Sequence, residues 1–189
     1  SADICHRVMR ERMKCFNVHG HTYLYELTFE FSSMESIGYP IDFKEIKRVG
    51  CQWIDDILDH GSMLNPHDTI LIQACKQLNS KLWLMSLNGE GEFCNPTVEN
   101  IAKEILLAQA VLFEEYTNLW VSHIRLYETP NCYTDCYLAN SNITDKEKSN
   151  FYSQNRKSLI EYRESKGVMV YDELLTTQNT LPTTESNCS

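Results

Sequence analysis

The sequence has little of what marks several classes of protein. Its 189 residues include only 7 glycines and 5 prolines, too few for a collagen-like chain or a disordered chain rich in glycine and proline. The most apolar stretch, residues 105–113, is interrupted by Gln109 and is much shorter than the ~20 residues that cross a bilayer. We therefore expect no membrane-spanning segment.

Positive charge is also scarce. Lysine and arginine number 17 against 26 aspartates and glutamates, which gives a formal net charge of −9. Nucleic acids and anionic membrane surfaces are bound through a cationic field, so the charge argues against both as partners. The hydrophobic content of 42% is enough for a packed core, and the length suits one compact domain.

The chain lacks any CxxC pair, although it contains 8 cysteines. Disulfide frameworks are typical of short secreted chains, whereas these cysteines are scattered along a longer sequence. We interpret most of them as reduced thiols, several of them buried as small hydrophobic side chains. The expected location is therefore the cytoplasm.

Hydrophobic periodicity predicts an α+β fold. Residues 22–31 alternate between apolar and polar side chains, as in a half-buried strand, and residues 44–59 have the spacing of an amphipathic helix. A second helix is expected after Asn95, its N-cap. Two further strands, at 120–128 and 133–139, complete the order strand, helix, helix, strand, strand. This order favours a sheet under a helical layer over a parallel βαβ fold.

Two segments between these elements have a mixed pattern. Residues 68–78 are compatible with a short helix, and residues 81–87 with an apolar strand or a buried loop.

On the strand predicted at residues 120–128, we expect Trp120, Ile124 and Leu126 to share one face.

A C-terminal extension, residues 141–189, follows a domain at residues 1–140. It opens on a capping box formed by Thr144 and Glu147, which predicts a polar helix at about 144–166. The last residues are rich in threonine, serine and asparagine, as in a loose tail.

The strongest signal for chemistry is a histidine pair, His19 and His21, at the mouth of the first long strand. Side chains two residues apart on a strand project to the same face, so the pair can share a metal ion, and Gly20 between them allows a close backbone approach. His6 is the natural third ligand, because three nitrogen ligands leave one position of a zinc ion open for catalysis. The alternative is that these are loop histidines without a metal.

Cys15 precedes the histidine pair and follows a basic segment. Residues 7–14 carry four cations and one anion, a local charge of +3, and a cationic environment raises the thiolate fraction of a cysteine. Cys15 is therefore a candidate fourth ligand or proton-abstracting base, the alternative being a structural cysteine. The cations are Arg7, Arg10, Arg12 and Lys14.

Two further positions carry carboxylates of interest. Asp59 and His60 are adjacent at the expected end of the first helix, where the carboxylate can orient the imidazole as a second acid–base group. Glu128 ends a strand on an apolar face, where an unpartnered carboxylate is costly, so the amino and ring N–H groups of a pterin or guanine would suit it. The alternative for Glu128 is a side chain that reaches solvent. His67 and His123 are assigned no role.

Six segments in order across residues 1–139 carry a shared pattern. They are Ser1-Ala2…His6-Arg7, Cys15-x3-His19-Gly20-His21-x-Tyr23, Ile41-Asp42-Phe43-x3-Lys47, Leu58-Asp59-His60…Leu64-Asn65, Asn95-Pro96-Thr97-x-Glu99-Asn100 and Glu128-Thr129. Together they resemble the motifs of the 6-pyruvoyl-tetrahydropterin synthase and 6-carboxy-tetrahydropterin synthase family. One departure is that the family has Ser-Ala-x-His where this chain has Ser-Ala-Asp-Ile-Cys-His.

The resemblance implies a tunnelling fold, in which a four-stranded antiparallel sheet has two helices on one face and trimers close the sheets into a barrel. Two trimers usually stack into a hexamer with active sites at subunit boundaries, so the expected partner is a further copy of this chain, in a trimer or a dimer of trimers. The implied site residues are the Zn²⁺ ligands His6, His19 and His21, the proton-transfer residues Cys15, Asp59 and His60, and the pterin-binding residues Glu128, Thr97 and Thr129.

The resemblance also implies the substrate, 7,8-dihydroneopterin triphosphate, and a lyase reaction. The Leu64-Asn65 and Asn95-Pro96-Thr97 segments favour the queuosine-pathway branch, which releases triphosphate and acetaldehyde and forms 6-carboxy-tetrahydropterin. The alternative is the biopterin branch, which eliminates triphosphate and forms the 6-pyruvoyl product. A three-histidine zinc hydrolase and a non-catalytic pterin-binding module are two further alternatives. We predict that the basic segment at residues 7–14 guides the triphosphate, the alternative being a solvated basic loop.

Overall fold

A six-stranded mixed sheet organises the fold, which confirms the α+β class. The strands are β1 (Ala2–His6), β2 (His19–Phe31), β3 (Gly61–Leu64), β4 (Leu82–Leu84), β5 (Leu119–Thr129) and β6 (Cys132–Tyr137). The computed structural model describes residues 1–139 and 142–167, and within these ranges the strand order is β4-β3-β1-β2-β5-β6. β1, β2, β5 and β6 pair in antiparallel fashion, whereas β3 is parallel to both β1 and β4.

The expectation of a four-stranded antiparallel sheet is wrong, because β3 and β4 extend the sheet beyond β1. Helix α2 (Thr69–Gln77) joins them as a parallel βαβ unit, a connection that the sequence analysis had disfavoured. Parallel neighbours need a crossover of this kind. The side chains of Met63 and Leu64 on β3 are buried in the core, which stabilises the added strand pair.

The first predicted helix is present but is irregular. Helix α1 (Phe43–Ile46) begins after the cap Asp42, whose side chain accepts the Lys44 amide. It continues as two π-helical segments, Lys47–Cys51 and Ile54–Leu58. The residues that it buries in the core are Val49, Trp53, Ile54 and Leu58.

Helix α3 (Val98–Leu112) begins later than predicted. Its N-cap is Thr97, whose hydroxyl accepts the Asn100 amide at 3.4 Å, so the assignment of Asn95 as the cap is wrong. The Asn95 side chain instead accepts the Met9 amide at 3.0 Å. The Asn95 side-chain oxygen, which the local pattern predicts to accept a helix amide, therefore makes a tertiary contact with Met9 instead.

Helix α4 (Asp145–Ser165) packs against α3. It begins at the capping box of Thr144 and Glu147, and it buries Phe151 fully. The loose tail expected at residues 176–189 lies outside the described residues. In the ranges that the structure covers, no helix combines the length and the apolar character needed to span a membrane.

Strand β5 contains a bulge that decides which side chains face the core. The β2–β5 register skips Ser122, and an extra residue of this kind reverses the alternation that follows. Val121 is buried before the bulge and Ile124 after it, whereas Trp120 is 42% exposed. The expectation that Trp120 shares a face with Ile124 is therefore wrong. Glu128 lies at a second irregularity, between Tyr127 and Thr129 in the β5–β6 register.

Candidate functional site

Three histidines meet where β1 pairs with β2. His6 lies directly opposite His19 in the antiparallel register, and His21 follows on the same face. One nitrogen from each ring lies within 4.8 Å of the others, and the ring centroids are 4.5 to 5.3 Å apart. The structure thus brings together the three residues that the sequence singled out as metal ligands.

Backbone carbonyls orient two of these rings. His6 Nδ1 lies 2.7 Å from the carbonyl oxygen of Pro96, and His19 Nδ1 lies 2.7 Å from that of Asn17. A carbonyl oxygen only accepts, so each Nδ1 carries a proton and each Nε2 keeps a lone pair for a metal. Burial lowers the pKa of His6, which favours the neutral, ligating form. This donor set fits a nitrogen-bound ion such as zinc.

A phenol and a carboxylate adjoin the histidines. Glu128 Oε1 lies 3.8 Å from His6 Nε2 and 3.7 Å from His21 Nε2. Tyr23 Oη donates to the same carboxylate oxygen at 3.3 Å and lies 3.4 Å from His6 Nε2. Burial and the neighbouring Glu128 raise the pKa of Tyr23, which keeps its hydroxyl a donor. Sequence analysis missed Tyr23, although its place two residues after His21 on a strand puts it on the same face.

Cys15 and Glu99 approach the same centre. Cys15 is exposed in a short 3-10 turn, Lys14–Phe16. Both Cys15 and Glu99 contribute to raising the pKa of Tyr23, so both lie within electrostatic reach of its hydroxyl. Sequence analysis did not single out Glu99, and the available signal was its place in the Asn-Pro-Thr-x-Glu-Asn motif at the start of α3.

Asp59 and His60 lie away from the histidine cluster. His60 Nδ1 is 2.7 Å from Asp59 Oδ2, and Asp59 Oδ1 accepts the Asp3 amide at 2.7 Å. Polar atoms of this pair cluster with the side chain of Asp3. Because side chains alternate along a strand, Asp3 projects from the face of β1 opposite to His6. Within one chain, the sheet therefore separates the Asp59–His60 pair from the three histidines.

The other predicted binding residues have structural contacts. Thr97 caps α3, and Thr129 ends β5. Asn65 Nδ2 donates to Asn95 Oδ1 at 2.8 Å, and Asn95 Nδ2 donates to the Met9 carbonyl at 2.8 Å. These motif asparagines join the basic N-terminal segment to the segment that leads into α3.

The basic segment at residues 7–14 is partly occupied by contacts within the chain. Arg7 Nε lies 2.6 Å from a carboxylate oxygen of the buried Asp68, and the Arg10 guanidinium lies over the Phe93 ring, 4.4 Å from its centroid. Arg12 is exposed to solvent. Of these three cations, Arg12 is the most available to an incoming anion.

Comparison with known proteins covers most of the chain. Residues 1–138 match the model of a family described as 6-pyruvoyl tetrahydropterin synthase. Relatives named 6-carboxy-5,6,7,8-tetrahydropterin synthase, from Rickettsia felis and Haemophilus influenzae, are 33% and 28% identical to the chain over 134 and 141 residues. These matches cover 70% and 71% of this chain and 92% of each relative. The crystal structure of an uncharacterized Wolinella succinogenes protein shares the fold, with a TM-score of 0.58 at 17% identity over 72% of this chain and 93% of that one.

Proposed function

The chain belongs to the 6-pyruvoyl tetrahydropterin synthase family, and on that premise we propose that it is a zinc-dependent lyase. The proposed reaction converts 7,8-dihydroneopterin triphosphate and one water molecule to 6-carboxy-5,6,7,8-tetrahydropterin, acetaldehyde and triphosphate. The relatives from Rickettsia and Haemophilus carry the name of this activity. The observation that carries the proposal is the convergence of three histidine nitrogens beside the Glu128 carboxylate.

His6, His19 and His21 would hold the zinc ion. When bound, zinc supplies a Lewis acid that acidifies the hydroxyl or adjacent C–H groups of the substrate side chain. The carbonyls of Pro96 and Asn17 support this assignment, because they keep the rings of His6 and His19 in the ligating tautomer.

Glu128 is the proposed anchor for the pterin ring. One of its oxygens accepts the Tyr23 hydroxyl, and a carboxylate has further lone pairs for the amino and ring N–H groups of the ligand. Its side chain is 24% exposed, so a ligand can reach it. Thr97 and Thr129 flank this position in the proposal.

Two groups would move protons on opposite sides of the substrate. Cys15, exposed beside the histidine cluster, takes a proton as thiolate on one side. Asp59 and His60 act on the other side, with the carboxylate holding the imidazole. Because the sheet separates this pair from the histidines of its own chain, we propose that it serves the site of a neighbouring chain.

A trimer, or a dimer of trimers, is the assembly that we propose. In the described residues, β4 and β6 each have one edge without a strand partner, and such edges favour pairing with another chain. Light scattering of the purified protein tests this assembly, and we expect a mass that is a multiple of three chains.

One incubation tests the proposed reaction. The purified protein is mixed with 7,8-dihydroneopterin triphosphate, the pterin products are identified by mass spectrometry, and acetaldehyde is assayed separately. We expect 6-carboxy-tetrahydropterin, acetaldehyde and triphosphate. A 6-pyruvoyl product without acetaldehyde would support the activity in the family description instead, and bound pterin without any released product would indicate a binding module. Full turnover by Cys15→Ala would favour a metal-hydroxide hydrolase.

The division of the chain is part of the same proposal. We assign catalysis to residues 1–140, because the family match ends at residue 138, and we regard residues 141–189 as an extension whose helix α4 packs on this unit. The cytoplasm is the proposed compartment, from the scattered thiols, and cell fractionation tests it.

A further inference from the structure

The turn that carries Asp59 and His60 has an unusual backbone. His60 has a φ of 57°, in the left-handed region that residues other than glycine seldom adopt. Such a conformation is strained and persists only where the surroundings hold it. The contacts around this turn therefore stabilise the backbone conformation of His60.

Lys81 makes one of these contacts. Its Nζ donates to the carbonyl oxygens of Asp59 and Asp55, both at 2.8 Å. The preceding π-helical segment ends with the Asp59 amide bonded to the Ile54 carbonyl, and the next bond of that pattern would run from the His60 amide to the Asp55 carbonyl. The ammonium group of Lys81 donates to the Asp55 carbonyl in place of that bond.

The His60 amide has left the helix for another partner. It donates to the Asp3 carbonyl at 2.8 Å, and the Asp3 amide donates to Asp59 Oδ1 at 2.7 Å. The turn is thus attached to β1 through Asp3 and to the end of the helix through Lys81. The attachment through Asp3 involves both residues of the proposed acid–base pair, and the attachment through Lys81 involves Asp59.

Lys81 is itself fixed in position by the added βαβ unit. Its backbone carbonyl accepts the Ser62 amide at 3.0 Å, next to the start of β4. It also packs closely on the turn, because a Cβ at Gly61 would lie 3.0 Å from Lys81 Cβ and 2.9 Å from the Leu58 carbonyl oxygen. The strand pair that extends the sheet therefore presents an ammonium group to the turn.

We propose that Lys81 is a positioning residue for the Asp59–His60 pair, and that the β3–α2–β4 unit supports the proton-transfer geometry of this enzyme. This inference rests on the proposed function of the pair. Lys81 acts through the two carbonyl groups that it binds, and it holds the turn in the conformation that keeps the imidazole against the Asp59 carboxylate.

The first test measures the turn without measuring activity. Hydrogen–deuterium exchange of a peptide covering residues 55–62 is compared between the wild type, Lys81→Met and Lys76→Met. Lys76 is an exposed lysine on α2 and serves as the matched control. We expect about tenfold faster exchange in Lys81→Met only, because the local opening free energy falls when the ammonium contacts are lost. Equal exchange in all three proteins would overturn the proposal.

The second test measures the catalytic consequence. We expect Lys81→Met to lower kcat by about tenfold, with KM within about twofold of the wild type and zinc content unchanged, because a small misplacement of an acid–base group slows the chemical step more than binding. Lys81→Arg should restore most of kcat, since a guanidinium also donates to two carbonyls. Wild-type kcat in Lys81→Met, or no recovery in Lys81→Arg, would overturn the proposal.

Two variants of the pair distinguish the failure of this inference from failure of the proposed function. If Asp59→Asn and His60→Gln keep full turnover, the proton-transfer role of the pair is wrong, whatever Lys81 does to the turn. If both lose turnover while Lys81→Met keeps normal exchange and kcat, only the role of Lys81 is wrong.

Discussion

His6 Nδ1 lies 2.7 Å from the carbonyl oxygen of Pro96, and this contact joins the first strand to the start of α3 across 90 residues of sequence. It leaves His6 Nε2 facing His19 and His21 with a free lone pair. The tautomer of a residue in β1 is therefore set by the backbone just before α3. A metal ion bound by these histidines would therefore depend on both segments.

Removal of one histidine should remove the metal. We expect about one zinc per wild-type chain, and His19→Ala should weaken zinc binding by more than about 100-fold, since even the loss of a group that only orients a ligand costs about 10- to 100-fold. Elemental analysis after dialysis measures this. His67→Ala, an exposed histidine outside the cluster, is the control and should keep its zinc. A metal-free preparation with full activity would refute the ligand assignment.

Loss of the Tyr23 hydroxyl should affect the pterin more than the metal. Tyr23→Phe removes the donor to Glu128, and a hydrogen bond to a charged group contributes about 1.5–3 kcal/mol, so we expect at least about tenfold weaker pterin binding with unchanged zinc. Fluorescence titration with the pterin product measures the affinity. Tyr25 lies on the same face of β2 as Tyr23, and its hydroxyl bonds to Cys51. Tyr25→Phe is therefore the matched control. Unchanged pterin affinity in Tyr23→Phe would contradict the role of Tyr23.

The basic segment is expected to guide the triphosphate. Reversal of Arg10 and Arg12 to glutamate should raise KM by about tenfold while kcat changes little, because the charges act on the approach and binding of the anion. The control is Lys157→Glu on α4, where the lysine side chain is 91% exposed. It changes the net charge by the same amount per substituted residue as the arginine reversals, and it should leave KM unaltered. A rise in KM for Lys157→Glu in proportion to its smaller charge change would show that only the overall charge matters.

Glu104 on α3 is a buried carboxylate outside the histidine cluster. It is 1% exposed, and its oxygens accept hydrogen bonds from Ser86, Leu87 and the Trp83 indole. Burial raises the pKa of Glu104 from 4.5 to about 7 despite these donors. Between pH 4.5 and about 7, Glu104 is therefore protonated in the folded protein and ionised in the unfolded chain.

This proton makes the free energy of unfolding depend on pH. The contribution of Glu104 is most favourable below the unfolded pKa of 4.5 and is lost as pH rises through about 7, a decrease of about 3 kcal/mol. Glu104→Gln does not titrate in this interval. Urea unfolding at about pH 5 and about pH 8 should therefore show a wild-type advantage over Glu104→Gln that shrinks at the higher pH. A difference that does not change with pH would contradict the raised pKa.

Local patterns predict those parts of the site that depend on one element. The H-x-H spacing and the period-two strand place His19 and His21 on one face, and the structure shows this arrangement. The same patterns fail at β3 and β4, because apolar runs as short as Leu82–Leu84 fit a strand or a buried loop equally well. The pairing of β3 with β1 and β4 is therefore known only from the structure.

Other differences between the predictions and the structure arise from contacts between residues that are distant in sequence. Asn95 and Thr97 are both good helix caps, and the side-chain oxygen of Asn95 is taken by contacts with Met9 and Asn65. The bulge at Ser122 has no signal in the alternating pattern, and it places Trp120 on the face opposite to Ile124. Tyr23 and Glu99 were missed for a related reason, since their neighbours across the site come from other elements.

We propose that one active site combines the histidine face of one chain with the Asp59–His60 pair of another. Co-expression of Cys15→Ala and His60→Ala chains with different affinity tags, followed by isolation of the mixed oligomers, tests this arrangement. Each variant alone should lose at least about 100-fold in kcat. Random mixing would leave about a third of the sites of mixed trimers, or about a quarter of those of mixed hexamers, with both groups intact, and we expect about that share of wild-type activity. Mixed oligomers that are as inactive as either parent would contradict a site shared between chains.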